Sequence, residues 1–365
     1  MTTSTKVKTK DSTFNTQKGT QMKAAVIREF GGPEVIRIEE IEKPQTKAGH
    51  VLVKVLAAGV NRLDHYVRGG GYIPEIDSYR ILGADAAGEI AELGEGVTSL
   101  KVGERVIVVA GFATERKDKD HRPTITSPSF AFPEVQINGT YTQYMEVPDY
   151  AVVKDETGLT VEEAATLPVV LGTSVHALKQ VAGVKAGDKV LIHSGASGSG
   201  SMHIQVAKAL GAKVATTVRS AEKGEYAKNV GADLVINTRE EDFVAKIKEW
   251  TGGRGVDVVI DNVGGDVLAK SIEAIRPFGA VVVFGFSAGP EAKIDVRRLF
   301  FPEKRLLGSM GSDVEDFQWG LQQVKEGRIK PLIYRVFPLD QAVEAHKLIA
   351  ENKVTGNIVL LPWAV

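Results

Sequence analysis

Between Val190 and Ala212 the chain reads as a buried strand, a turn holding Gly195, Gly198 and Gly200, and a helix. Glycines lack a Cβ, so backbone N–H groups can approach a pyrophosphate closely at the positive end of the helix that follows. That is the chemistry of a dinucleotide site. A carboxylate about 20 residues past the first glycine would bind both ribose hydroxyls of NAD. The corresponding stretch is Thr216-Thr217-Val218-Arg219-Ser220, with no carboxylate before Glu222. Arg219 offers a bidentate guanidinium, Ser220 a hydroxyl and Lys223 a point charge, a set that suits the 2′-phosphate of NADP(H). The plainer alternative is that Ser220 caps the next helix while Arg219 and Lys223 are solvated.

These residues need a scaffold. After the turn come strand candidates at 213–218, 233–237, 256–263, 280–286 and 305–310, each separated from the next by a helical stretch, which predicts a doubly wound parallel sheet. Phe243, Ile247 and Trp250, and Leu268, Ile272 and Ile275, fall at helical spacing and should face it. Asn262, Val263 and Gly264 then end the fourth strand and Phe284, Gly285 and Phe286 the fifth, at the carboxyl edge where open α/β sheets bind ligands. From Met22 to about Gly172 the pattern changes to short alternating runs broken by glycines, a β-rich unit. The segment after residue 313 carries no glycine turn of its own and should return to that first unit. The expected organisation is a tail over 1–21, a catalytic domain over 22–172 and 314–365, and a cofactor domain over 173–313.

The bulk properties narrow the function. A length of 365 residues suits two domains, and 43% hydrophobic content supplies both cores. The net charge of −1 and the lack of a basic, aromatic-interleaved stripe argue against nucleic acid. No apolar run is long enough to span a bilayer, so a soluble, cytoplasmic protein is expected. With no cysteine there is no disulfide, no thiolate zinc site and no cysteine nucleophile. The first 21 residues, rich in Thr, Ser and Lys, lack the apolar run of a secretory signal and read as a disordered tail.

Several separated motifs resemble the medium-chain dehydrogenases/reductases: residues 59–68 (GVNRLDHYVR), 82–88 (LGADAAG), 102–106 (VGERV), 171–178 (LGTSVHAL) and 256–265 (VDVVIDNVGG). The resemblance runs from Met22 to Pro362 and implies a GroES-like catalytic domain interrupted by a Rossmann domain, with the active site between them. Zinc-containing members place a cysteine where Asn61 stands and a His-Glu pair at Ala84-Asp85, so the resemblance implies no metal here. Asp64, His65 and Asp85 would make a poor zinc site, with a single imidazole. The segment 111–140, which carries structural-zinc cysteines in those relatives, should hold its shape by packing alone. Asn61, Asp64, Tyr66 and Arg68 match the signature of the quinone oxidoreductase branch, whose tyrosine lies beside the nicotinamide.

The resemblance therefore implies an NADPH-dependent reductase that delivers hydride to a quinone or to the β-carbon of an α,β-unsaturated carbonyl. The Asn61 amide and Tyr66 hydroxyl are the donors to the growing oxyanion, and Tyr66 or a water supplies the proton. Asp64 is expected to orient Arg68 or the loop, although Asn61 and Asp64 could simply pin that loop. Thr173 is placed near the nicotinamide, at the start of a helix, where it could equally be a cap. Ser197 replaces the central fingerprint glycine, and Gly356-Asn357 stands where relatives have Gly-Lys, leaving the NADP preference to Arg219. His193, His203 and His176 read as structural. Phe130, Phe132, Tyr141 and Tyr144 either line an apolar pocket or belong to the core. Short-chain dehydrogenases are excluded because Tyr150 and Lys154 precede the nucleotide turn. Two alternatives stay open: an alcohol dehydrogenase-like enzyme with an altered metal site, and a non-catalytic NADP(H)-binding protein. A homodimer paired through the last strands of the cofactor sheet is expected.

Overall fold

The computed structural model describes residues 20–364; most of the expected N-terminal tail lies outside them, and the first strand, Gln21–Ile27, takes in its last residue. The cofactor sheet has six parallel strands in the order Leu234–Asn237, Lys213–Val218, Lys189–Ile192, Val256–Asp261, Ile275–Val283 and Arg305–Gly308. The strand that comes first in the chain, Lys189–Ile192, is central, and the chain order reverses beside it. Such a reversal opens a crevice at the carboxyl ends of the strands. The strands are rich in Val, Ile, Leu and Ala because helices cover both faces. Several boundaries differ from expectation: the fifth strand begins at Ile275, the sixth stops at Gly308, and the fourth stops at Asp261 and the fifth at Val283, so residues 262–264 and 284–286 lie just past the sheet edge.

The β-rich unit is built on a seven-stranded sheet in which His50–Val60 is central. Asp85–Leu93 and Tyr144–Pro148 pair with it, and the C-terminal strand Asn357–Leu361 adds antiparallel with Ile358 opposite Val60. The last strand is thus part of the first unit's sheet. A smaller sheet joins Arg37–Glu42, Gln21–Ile27 and Arg80–Ile81.

One apolar cluster runs through the junction between the units. Ala57, Ala87 and Ile107 of the first sheet pack with Leu167, Leu171 and Leu178 of the connecting helical segment, and these with Val190 and Ile192 of the cofactor sheet and Phe317 of the helix Val314–Lys325. Burying a leucine of this kind stabilises by roughly 1.5–3 kcal/mol, so this shared core ties the two units together. Among the described residues no helix is long and apolar enough to cross a membrane.

The segment 111–140 departs from packing alone. Arg116 pairs with Asp149, Arg122 grips Glu315 with two bonds of 2.8 and 2.9 Å, the Thr124 N–H donates to Asp313 at 2.6 Å, and Glu134 accepts from the Gly83 N–H at 2.7 Å. Phe112, Ala131 and Phe132 are buried in the lobe, and these ion pairs and backbone bonds add to that packing.

Candidate active site

Asn61 precedes the short helix Arg62–Arg68, and the Asp64 Oδ2 atom accepts its backbone N–H at 2.8 Å, satisfying an orphan donor of the first turn. The Asn61 side chain turns across to the strand Asp85–Leu93, where Nδ2 donates to Asp85 Oδ2 at 2.8 Å. Asp85 Oδ1 accepts from the Val169 N–H at 2.7 Å. An amide carries two hydrogens on Nδ2, so one remains for another acceptor.

Tyr66 lies one turn along the helix and faces the other unit. Its ring stacks on Phe286 at a centroid distance of 5.1 Å and an interplanar angle of 18°, and on Tyr72 at 6.2 Å. Phe286 follows the fifth sheet strand, so these rings join the Asn61–Arg68 turn to the carboxyl edge of the cofactor sheet. Burial raises the Tyr66 hydroxyl above its usual pKa, against the opposing charge and hydrogen bond of Arg62. It therefore remains a proton donor at neutral pH.

Asp64 and Arg68 look inward. Asp64 is fully buried and accepts from Asn61 N–H and the Tyr141 hydroxyl. Arg68 donates to the Gly31 carbonyl at 2.7 Å, meets His65 Nδ1 at 2.8 Å and reaches His346 Nδ1 at 3.3 Å. The expected Asp64–Arg68 pairing gives way to these contacts, and Arg68, expected in the catalytic set, fastens the helix from behind. Tyr141 is wholly buried and Phe132 packs on Ala84 and Ala110, so both are core residues and not pocket lining.

The glycine turn also carries a correction. The space a Cβ would occupy is filled by protein: Thr216 Oγ1 lies 2.1 Å from a Cβ placed on Gly195, Asn357 Oδ1 2.2 Å from one on Gly198, and the Ser194 carbonyl 2.1 Å from one on Gly200. Gly195 N–H already donates to the Thr217 carbonyl, and Gly200 N–H to Ser197 Oγ at 3.0 Å. Ser197 is the N-cap of the helix Gly198–Ala209, the role a serine takes well in place of glycine. Asn357 takes the place of the family's lysine by packing on this turn and donating to the Leu332 carbonyl at 3.1 Å.

Further along, Ser220 caps the helix Ala221–Asn229 through the Lys223 N–H. Arg219 is exposed at the strand end, and Lys223 Nζ donates to the Asn352 carbonyl at 2.9 Å. Burial lowers the Lys223 pKa first, then the charges of Arg219, Arg62 and Arg239. The charges of three arginines thus reach Lys223, making a cationic neighbourhood beside the end of the strand Lys213–Val218. Arg62, which also donates to Asn352 Oδ1 at 2.7 Å, and Arg239 went unnoticed in the sequence because they stand in separate segments.

Thr173 lies inside the helix Pro168–Val175 and does not cap it; Pro168 starts the helix, as proline's fixed φ favours. Phe284 stacks inward on His203 at 4.7 Å and does not face the crevice. Gly264 takes φ +68° with the Gly289 carbonyl 2.7 Å from where a Cβ would sit. A Cβ on Gly285 would lie 3.1 Å from the Asn262 carbonyl. The buried Asn262 Oδ1 has no hydrogen-bond partner among the described residues. An unmet acceptor at the carboxyl edge of the sheet suits a ribose hydroxyl, and with the cation cluster it makes the residues present a fit for a nicotinamide dinucleotide.

Beneath this edge a chain of bonds crosses three strands. Ser271 Oγ donates to Asp261 Oδ2 at 2.7 Å, so His193 Nε2–H donates to Ser271 Oγ at 2.9 Å and His193 Nδ1 accepts from Thr217 Oγ1 at 2.9 Å. Asp261 Oδ1 accepts the Val263 and Gly264 N–H groups. Burial lowers the His193 pKa and keeps the ring neutral. This His, Ser and Asp set is sealed in the sheet and positions the loops. His176 is more than packing: its Nδ1 lies 2.7 Å from Asp316, which raises its pKa.

Two family models match the chain: an alcohol dehydrogenase GroES-like domain over residues 47–157 and a zinc-binding dehydrogenase over 198–326. A 2-haloacrylate reductase of Burkholderia sp. is 33% identical, covering 93% of this chain and 99% of its own. The chain belongs to the medium-chain dehydrogenase/reductase family. The human quinone oxidoreductase is 31% identical over 93% of this chain and 98% of its own. Among solved structures, one described as an NAD-dependent alcohol dehydrogenase superposes with a TM-score of 0.89 at 32% identity, covering 93% of this chain and 99% of that one. A crotonyl-CoA carboxylase/reductase in complex with NADP gives 0.86 at 28%, covering 94% and 95%. This medium-chain family member is an oxidoreductase with a GroES-like unit and a Rossmann-like parallel sheet. The zinc in one model's description does not fit its residues. Asn61 and Asp85 bond each other, Ala84 has no donor atom, and neither a thiolate nor an imidazole is offered there.

Proposed function

We propose that this protein is a metal-independent reductase that uses NADPH to reduce a quinone or the carbon–carbon double bond of an α,β-unsaturated carbonyl compound. The observation that carries the proposal is the Tyr66–Phe286 stack, which brings the Asn61–Tyr66 turn onto the carboxyl edge of the cofactor sheet. Bound NADPH supplies a hydride from C4 of its nicotinamide. The residues for holding it are Arg219, Lys223, Arg62 and Arg239 at the 2′-phosphate, Asn262 at a ribose, the N-terminus of the helix Gly198–Ala209 at the pyrophosphate, and Thr173 and Phe286 near the nicotinamide.

As hydride reaches an electron-poor carbon, negative charge grows on the substrate oxygen. The second Asn61 Nδ2 hydrogen and the Tyr66 hydroxyl meet that charge from fixed positions; preset donors of this kind contribute roughly 2.7–4 kcal/mol each. Tyr66 then gives its proton, or relays one from water, to complete the product. Tyr72 and Phe286 exclude water from one side of Tyr66. The relatives' names supply the acceptor classes, a quinone and a haloacrylate.

The molecule acts as a homodimer in this proposal. Arg305–Gly308 is an edge strand, and Phe278, Phe300, Phe301 and Met310 near it are about half exposed or more, an apolar surface that a second copy would cover.

The test is oxidation of NADPH and of NADH by EDTA-treated protein with an ortho-quinone and a simple enone. Turnover with NADPH in preference to NADH supports the reading. NADPH binding with no turnover favours a binding protein, and activity that returns only with zinc favours an altered alcohol dehydrogenase.

A further inference from the structure

Glu134 is a fully buried carboxyl that the chemistry above leaves unused. It sits in the lobe 111–140 at φ +64°, a left-handed backbone that a glutamate adopts only where its surroundings demand it. One oxygen, Oε2, accepts from the Gly83 N–H at 2.7 Å. Among the described residues the other, Oε1, has no donor, and neither has Asp64 Oδ1, although both are buried and the two carboxyls lie within hydrogen-bonding reach.

The groups facing Glu134 are Asp64 from the helix, Asp85 from the sheet and Tyr141 from the strand entry, all acids. The nearby guanidinium of Arg68 is spent on Gly31, His65 and His346. Two carboxylate ions cannot share such a place without a cation, whereas one proton between them satisfies both orphan oxygens at once.

We propose that Glu134 is a protonated positioning residue whose Oε1–H donates to Asp64 Oδ1. Asp64 is then left as the ionised hub that takes the Asn61 N–H and the Tyr141 hydroxyl on its other oxygen. The lobe holds the catalytic turn through this proton, and ionising Glu134 would push Asp64 away and loosen Asn61. The catalytic consequence rests on the proposed function; the proton itself does not.

Glu134→Gln is the decisive variant, because its amide N–H can replace the carboxyl O–H while its oxygen keeps the Gly83 bond. We expect E134Q to retain kcat/KM at pH 7 within about two-fold. It should also lose whatever decline the wild type shows on the alkaline side. E134A should lose about 10-fold or more in kcat, with little change in the KM for NADPH. A wild-type minus E134Q infrared difference spectrum at pH 7.5 should contain a protonated-carboxyl stretch that moves on 13C-glutamate labelling. An E134Q as damaged as E134A, or the absence of that band, overturns the proposal. Should E134A fail to fold, the infrared comparison decides. A protein inactive on every acceptor that still shows the band keeps the proton and loses the assigned reaction.

Discussion

Two buried polar networks flank the cleft, and they balance charge in opposite ways. Under the cofactor sheet, Asp261 meets a hydroxyl and two backbone N–H groups, and His193 passes bonds on between two hydroxyls, so donors match acceptors. Under the catalytic turn, Asp64, Asp85 and Glu134 crowd together with fewer donors than acceptor oxygens. Burial consequently raises Asp64 to about 6 and Asp85 to about 7, and Glu134 well above its ordinary value. The first network is an ordinary way to fix loops at a ligand edge. The second keeps protons, which makes the position of Asn61 sensitive to pH.

The largest difference should come from breaking each hub. Asp64→Ala strands the Asn61 N–H, the Tyr141 hydroxyl and the Glu134 carboxyl, and we expect a loss of about 3–5 kcal/mol in denaturant unfolding. His193→Gln retains a donor and an acceptor near the Ser271 and Thr217 hydroxyls and should cost about 1–2 kcal/mol. Equal losses would mean that the networks do not differ as described.

Next in size is chemistry. Tyr66→Phe keeps the stack on Phe286 and removes only the hydroxyl, so kcat should fall about 10²-fold with thermal stability unchanged. A similar fall in Tm would place Tyr66 with the scaffold.

The pH dependence of stability follows from the raised carboxyls. Folded Asp85 holds its proton up to about pH 7, whereas an unfolded aspartate releases it near 3.8. The native state binds the extra proton between those values, so stability falls as pH rises through the window and is fully present below it. Asp85→Asn should flatten that slope in thermal scans from pH 4 to 8. The effect is on the order of 1 kcal/mol per pH unit. An unchanged slope would assign the excess protons elsewhere. Smaller still, Arg219→Ala should raise the KM for NADPH about 10-fold and leave that for NADH unmoved, as loss of one charge-assisted contact implies.

Much of this molecule could be read from its residues. The buried parallel strands from Lys213 onward announce themselves through apolar runs separated by helical spacing, and the glycine turn marks the sheet's first crossover. Ser197 and Gly356-Asn357 stand out as departures, but their roles as cap and packing partner come from local bonding and from neighbours over 100 residues away, whereas capping by Ser220 is one of the two readings its sequence position offers. Arg62, Glu134 and Asn352 carry no local signature. Glu134 reads as one acid in a Phe- and Pro-rich loop, and only the folded lobe brings it to Asp64. Arg68 shows the converse: a motif position invites a catalytic reading, while burial spends its donors on Gly31 and two histidines.

The central claim, hydride delivery to carbon without a metal, is tested most directly by product isotope analysis. EDTA-treated protein would be given NADPH deuterated at C4 and a simple enone, and the product examined by NMR. Deuterium at the β-carbon of a saturated carbonyl product is the expected result. Deuterium at the carbonyl carbon of an allylic alcohol, or transfer seen only after zinc is restored, would contradict it.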